Sequence, residues 1–236
     1  MFTPLAFKQP QLVTDGLVLY LDAADRTSYV SGSTVWRDLS AGNNGTLTNG
    51  PTFDTGNGGS IVFDGADDYI STNTNSTLTQ AGSTQFTAEF WIKKTASDKD
   101  SMVGAWNNSD RKGWFLQWYS DSIIYFGITD GSYNYNYINQ AYQNQWFHIV
   151  GVFNGSESTN QTKAKIYVNG ILLTTNNNNN ILTSVPSNIV ELTIGKLTNY
   201  SSFTTGNIST VKIYNRALSA SEVLQNFNAQ RQRFNI

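Results

Sequence analysis

The sequence predicts an all-β antiparallel sandwich ending in one short helix, and three observations carry that prediction. Val, Ile, Phe, Tyr, Trp and Thr, which suit a pleated and half-buried surface, are prominent; aromatics make up 13% and charged residues only 14% of the 236 positions. About a dozen short alternating segments follow one another, many of them parted by Gly/Asn turns. The last of these segments, 206–214, runs straight into a helix start.

Taken in order, residues 1–15 read as an N-terminal arm, because Pro4 and Pro10 remove backbone donors and regular alternation starts only near Gly16. Gly16-Leu-Val-Leu-Tyr-Leu-Asp22 is the first strong strand. After Trp36, Asp38-Leu-Ser-Ala-Gly-Asn-Asn-Gly45 reads as a loop whose Asn and Gly residues tolerate positive φ. Further strands are expected at 60–63, 68–71, 86–93, 101–105, 113–119, 122–128, 134–138, 146–153, 164–168, 171–175, 190–194 and 206–214. Asn154-Gly155 and Asn169-Gly170 mark hairpins, since type I′ turns need positive φ at both central residues. The Asn176 to Asn180 run reads as an exposed loop.

At the end of the chain Ile208, Val211 and Ile213 fit a half-buried strand, and Ser219-Ala-Ser-Glu222 matches a capping box that satisfies free N–H groups at a helix start. Val223, Leu224 and Phe227 then form one apolar stripe. No repeat or composition break divides residues 16–230, which read as one domain, and 231–236 read as a C-terminal tail.

Composition excludes several functions. A formal net charge of -2 provides no basic stripe for nucleic acid. No run of about 18 apolar residues exists to insert in a membrane, and the first ten residues lack the basic start and apolar stretch of a signal peptide. The absence of Cys removes disulfides, thiolate metal sites and thiol nucleophiles, and the single His, His148, cannot build a His-rich metal cage.

The order of landmarks resembles that of the laminin-G-like domains of the concanavalin A-like lectin/glucanase superfamily, from about Gly16 to Gln230. Those landmarks are Gly16 to Asp22, Asp38 to Gly45, Phe63-Asp-Gly-Ala-Asp-Asp-Tyr-Ile70, Phe86-Thr-Ala-Glu-Phe-Trp-Ile-Lys93, Trp146-Phe-His-Ile-Val-Gly-Val-Phe153, Lys165-Ile-Tyr-Val-Asn-Gly170, Leu192-Thr-Ile-Gly195 and Tyr214-Asn-Arg-Ala-Leu-Ser219. The resemblance implies a two-sheet antiparallel jelly-roll that binds glycans or proteins and often carries calcium. The first and last landmarks also resemble structural proteins of tailed bacteriophages. They imply assembly in a host cytoplasm, a place on the virion surface, and other virion proteins or further copies of the chain as partners.

Glycosidases on this fold carry clustered carboxylates along one strand, since an acid and a nucleophile must flank the scissile bond. The four Glu residues, Glu89, Glu157, Glu191 and Glu222, have no such partner on an alternating strand, and Glu222 is taken by its capping box. His148 lies in an apolar strand without a Gly-x-Ser-x-Gly motif, so a packed histidine is expected rather than a catalytic one. The chain therefore reads as no enzyme.

Calcium takes about six to eight oxygen ligands, and Asp67-Asp68 is its best anchor, with Asp64 as an equal claimant to a turn role and Asp130 as a second loop candidate. Where the family pattern has an acidic pair in the last strand, this chain has Ser209-Thr210, which removes charge that would help hold a cation. Sugar binding needs aromatic rings together with amides. Tyr133, Tyr135 and Tyr137 share one face of a strand, with Asn134 and Asn136 on the other; Trp114 and Trp118 share a face opposite Phe115 and Tyr119. One face of each strand fills the core or a subunit interface, and the other is left for cell-surface polysaccharide. Three functions follow: a virion decoration protein that adheres to host glycans, a free extracellular lectin or adhesin, and, last, a glycoside hydrolase.

Overall fold

Alternation of apolar and polar residues over four to ten positions cannot be buried by one sheet alone, and the chain resolves it by packing two antiparallel sheets face to face. A computed structural model describes residues 10–72, 74–95, 100–107, 109–120, 122–139, 143–187, 191–198 and 201–236. Its strands are β1 (Leu17–Asp22), β2 (Val35–Trp36), β3 (Gly45–Thr48), β4 (Thr52–Asp54), β5 (Ser60–Asp64), β6 (Tyr69–Thr72), β7 (Gln85–Lys94), β8 (Asp100–Asn107) and β9 (Lys112–Ser120). They continue with β10 (Ile123–Asp130), β11 (Tyr135–Asn139), β12 (Phe147–Asn154), β13 (Ala164–Val168), β14 (Ile171–Leu173), β15 (Asn176–Asn178), β16 (Thr193–Ile194) and β17 (Thr205–Tyr214). The helices are α1 (Ser76–Thr79), α2 (Asn160–Lys163) and α3 (Ala220–Gln230).

One sheet runs β14-β13-β12-β7-β17-β5-β4, with β1 continuing the edge of β17 beyond β5. The nine-stranded sheet runs β15-β11-β10-β9-β8-β16-β6-β3-β2. Every strand expected from the alternation is present with its ends moved by a few residues. The exception is 190–194, which shortens to β16 and begins outside the described residues. The short strands β2, β3 and β4 lie in stretches with too little alternation to announce them.

Between the sheets, Phe86, Phe90, Ile149, Phe153, Val211 and Ile213 of the first sheet meet Trp114, Leu116, Trp118, Ile124, Phe126 and Ile128 of the second. The helix expected at the C-terminus is α3, and its capping box is intact: Ser219 Oγ accepts from Glu222 N–H and Glu222 reaches back to Ser219 N–H. Its buried stripe differs from the expected one. Val223 and Phe227 are buried with Asn226 and Gln230, while Leu224 faces outward, because the surface under α3 is polar as well as apolar.

That surface is the outer face of the first sheet, where Glu89, His148 and Lys212 are all fully buried. Lys212 Nζ lies 2.7 Å from Glu89 Oε1 and from Gln230 Oε1, and Asn226 Nδ2 donates to Glu89 Oε2 at 2.7 Å. His148 Nε2 is 3.1 Å from Glu89 Oε1 but off the line of a good hydrogen bond. His148 is thus the packed histidine expected, and Glu89 is closed off beneath α3.

Four further expectations change. The Asn run is not wholly a loop: Asn176–Asn178 form β15, paired through the backbone with Tyr135 to Tyr137. Asn169-Gly170 does make the two-residue turn between β13 and β14, with both residues at positive φ, whereas β12 and β13 are joined through the capped helix α2. Residues 231–236 are not a loose tail, since Arg231–Phe234 form a 3₁₀ helix that buries Phe234 against Trp91 and Trp146. At the other end Val13 is docked, its N–H on Asn226 Oδ1 and its carbonyl on the Tyr214 hydroxyl. The arm expected at 1–15 is therefore attached from Val13 onward, and residues 1–9 lie outside the described residues.

Candidate functional site

The outer face of the nine-stranded sheet is built by the alternate residues of β9, β10 and β11. Register sets Gln117 opposite Tyr125 and Tyr125 opposite Tyr137; in the next row Phe115 faces Gly127, which faces Tyr135. Gly127 is required there, because a Cβ at that position would come within 2.5 Å of the Phe115 ring. The missing side chain lets Phe115 lie flat across the sheet and makes a depression beside the tyrosines.

The tyrosines stack as a ladder. Tyr119 and Tyr125 have ring centroids 4.9 Å apart, and Tyr125 and Tyr135 are 4.3 Å apart with planes 24° from parallel. Tyr137 meets Tyr125 edge-on at 6.0 Å. Burial, reinforced by Tyr135 and its neighbours, pushes the Tyr125 phenol up, so the phenol is neutral at ordinary pH and able to donate. Trp106, Phe115, Gln117, Tyr119, Tyr125, Tyr133, Tyr135 and Leu197 enclose a cup of about 290 Å³. Gln117 is only 6% exposed, and its Nε2 is closed off from solvent with no hydrogen-bond partner among the described residues.

Of the residues expected to contact a glycan, the structure gathers Tyr133 and Tyr135 in the cup, with Tyr137 against its ladder. Tyr133 precedes β11 rather than lying on it. It is held by Asn179 Nδ2, which donates to its carbonyl at 2.9 Å, and by the Arg111 guanidinium 4.7 Å from its ring centre. Trp114 and Trp118 are corrected: both are fully buried in the inter-sheet core, Trp114 with its indole N–H on the Thr79 carbonyl at 2.8 Å. Asn134 and Asn136 are corrected as well. Asn136 is fully buried and donates to the carbonyls of Asn160 and Ala164, while Asn134 faces Asp130 at 3.4 Å. These amides brace the sheet and offer nothing to a ligand in the cup.

The sequence reading missed Trp106, Gln117, Tyr125 and Leu197, and placed Phe115 and Tyr119 on the face opposite the candidates. One signal distinguishes the faces of β9: Trp114, Leu116 and Trp118 are uniformly apolar, whereas Gln117 sits between Phe115 and Tyr119. The face with the amide is the one that reaches solvent.

The metal candidates divide. Asp64, Asp67 and Asp68 can each present an oxygen within 4.8 Å of the others. Asp64 Oδ1 accepts from Ala66 N–H and Asp68 Oδ2 from Asp64 N–H, the bonding of a tight turn between β5 and β6. Burial, with the charges of Asp64 and Asp67, raises the Asp68 carboxyl against the pull of the Asp64 N–H. Asp130 is outside this group and ends β10. Ser209, one of the pair standing where the family pattern is acidic, forms a bulge in β17 and donates to the Gly59 carbonyl at 2.6 Å.

Two antiparallel sheets packed face to face, one covered by a helix and the other carrying an aromatic cup, define a lectin-type jelly-roll sandwich. A laminin G family model described as the concanavalin A-like lectin/glucanases superfamily matches residues 64–224, and the chain belongs to that superfamily. Among curated proteins none matches this sequence. Among solved structures, Trypanosoma rangeli sialidase in complex with sialic acid is similar, with a TM-score of 0.69 and 16% identity over 98% of this chain and 37% of that one. The botulinum neurotoxin type G receptor binding domain is similar with a TM-score of 0.66 and 16% identity, over 92% of this chain and 52% of that one. This chain thus spans from about a third to half of these proteins, and the likeness is one of fold.

Proposed function

We propose that this chain is a non-enzymatic carbohydrate-binding domain whose ligand sits in the aromatic cup on the outer face of the nine-stranded sheet. The observation that carries the reading is the cup's chemistry, in which aromatic rings and neutral phenols line a concave surface together with one amide side chain, Gln117. Aromatic rings take the C–H face of a sugar, and hydroxyl and amide groups take its oxygens. Support for a role without chemistry comes from the carboxylates: Glu89 is sealed under α3, and Glu222 is bound to Arg216 at 2.6 Å. Tyr125→Ala removes the middle of the ladder and is expected to weaken binding about tenfold or more, equivalent to about 1.4 kcal/mol, on the glycans that a glycan array selects. Unchanged affinity in a folded variant would remove the cup from the proposal.

The setting proposed is the surface of a virion, supported by the phage-like wording of the landmarks. Mass spectrometry of purified particles tests it; a chain absent from them is a free lectin. Calcium in this reading sits at Asp64, Asp67 and Asp68, where a cation would relieve the mutual repulsion of three carboxylates. These supply three of the roughly six to eight ligands calcium takes, the rest falling to carbonyls and water. Millimolar calcium is expected to raise the melting temperature of the chain and not of Asp67→Asn. Equal melting curves with calcium and with chelator would eliminate the site.

A further inference from the structure

We infer that the cup is one end of a longer site that takes an extended sugar chain, with Ser132, Asn179 and Asn180 contacting the units beyond the first; the inference rests on the glycan reading above. Pockets that hold a drug-sized ligand span roughly 300–1,000 Å³. The cup, at about 290 Å³, lies at the bottom of that range and suits a single ring. Further recesses continue from it. Tyr133, 41% exposed, forms the lip of the cup, and its chain neighbours Ser132 and Asn134 line a second recess of about 600 Å³ together with Asn179, Asn180 and Leu182. Leu182 also lines a third, of about 390 Å³, with Lys112 and Asp130.

The end of the asparagine run makes the second recess polar. Asn176–Asn178 are held to β11 by backbone pairing, and Asn179 then turns the chain out of the strand with φ at 58°, a left-handed conformation that Asn tolerates. Asn160 pins that turn from both sides, donating from Nδ2 to the Asn179 carbonyl and accepting at Oδ1 from Ile181 N–H, each at 3.0 Å. Asn179 spends its Nδ2 on the Tyr133 carbonyl, which ties the turn to the lip of the cup. Its Oδ1, the whole amide of Asn180 and the Ser132 hydroxyl make no hydrogen bond among the described residues. Unspent donors and acceptors on a backbone already fixed suit the hydroxyls of a sugar chain, because little ordering is left for binding to impose. Charge along the path is mixed, with Arg111 against Tyr133 and Lys112 set across from Asp130, so the site reads length rather than charge.

The test is calorimetric titration of the intact chain with disaccharides, tetrasaccharides and hexasaccharides of β-1,4-glucan, β-1,4-xylan, β-1,4-mannan, chitin and α-1,4-galacturonan, together with any linear glycan that the array selects. In a series that binds, the tetrasaccharide is expected to bind at least about tenfold more tightly than the disaccharide. Ser132→Ala with Asn180→Ala is expected to lose about tenfold on the tetrasaccharide and to leave the disaccharide unchanged. Both side chains are exposed and make no hydrogen bond among the described residues, so the melting temperature of the double variant is expected to hold. A disaccharide binding as tightly as the tetrasaccharide, unchanged tetrasaccharide affinity in the double variant, or an array that returns only terminal sugars while no series binds overturns the inference and leaves the glycan reading standing. No binding on a broad glycan array overturns both.

Discussion

Glu89→Ala is expected to lower stability by about 3–5 kcal/mol, because it strands a buried ammonium. Lys212 and Glu89 are both fully buried, 2.7 Å apart, and the carboxylate is completed by Asn226 on its other oxygen. Without Glu89, Lys212 keeps Gln230 as its one hydrogen-bond partner among the described residues, and Asn226, whose Oδ1 accepts from Val13 N–H, loses one of the two acceptors of its Nδ2, keeping the Tyr214 hydroxyl. Urea unfolding of the variant measures the cost; a loss under about 1 kcal/mol would show that water replaces the carboxylate.

The same cluster makes stability depend on pH, and both of its titrating members act in one direction. For Glu89, burial works to raise the carboxyl, but Lys212 and His148 together outweigh it and hold it at about 2 against an ordinary 4.5. Its contribution is full above pH 4.5 and is lost as pH falls toward 2. For His148, burial lowers the imidazole below its ordinary 6.5, more than Glu89 raises it. The unfolded chain therefore takes up that proton first, and stability begins to fall below pH 6.5. Urea midpoints are expected to hold from pH 7.5 to about 6.5 and to decline from there to pH 3, and a profile flat over the whole range would contradict the buried cluster. His148 is the only histidine, so its ring resonances report the lowered value directly.

Phe234→Ala is expected to cost a similar amount, about 3–5 kcal/mol. Phe234 is 4% exposed, lies 4.0 Å from the Trp91 ring with planes 13° apart, and touches Trp146 at 4.9 Å. Trp91 in turn donates its indole N–H to Gln230 at 3.1 Å, so a void there reaches the end of α3. Beside it Arg233 anchors the same turn, donating to Asp22 Oδ1 and to the Gly59 carbonyl, each at 2.8 Å, and to Ser209 Oγ. Thermal unfolding gives the value; a shift within a degree or two would mean that the 3₁₀ turn adds little to the sheet it covers.

Most strands were legible because Val, Ile and aromatic residues alternate along them, as in β7, β12 and β17. Asn176–Asn178 were not, since their strand is made by backbone pairing to Tyr135–Tyr137 and by no side-chain pattern. The candidate site was half legible. Alternation sorts Trp114 and Trp118 from Phe115 and Tyr119, but period-two patterning alone leaves open which set faces inward. In β11 polarity misleads, because the amide of Asn136 is spent inside on two carbonyls while the tyrosines face out. The charged cluster was illegible for another reason: Glu89 and Lys212 lie 123 positions apart and meet only because β7 and β17 are neighbours.

β17 has one more consequence. Among the described residues β1 pairs with no other strand, β5 has only β4 besides it, and β7 reaches either of them only across β17. A nascent chain that stops before residue 205 holds the pieces of the first sheet in three unconnected groups: β1 alone, β4 with β5, and β7 with β12, β13 and β14. It also lacks α3, which shields Glu89. The order in which this chain is synthesised thus runs opposite to the order in which its first sheet can close, and the earliest strands wait longest for a partner.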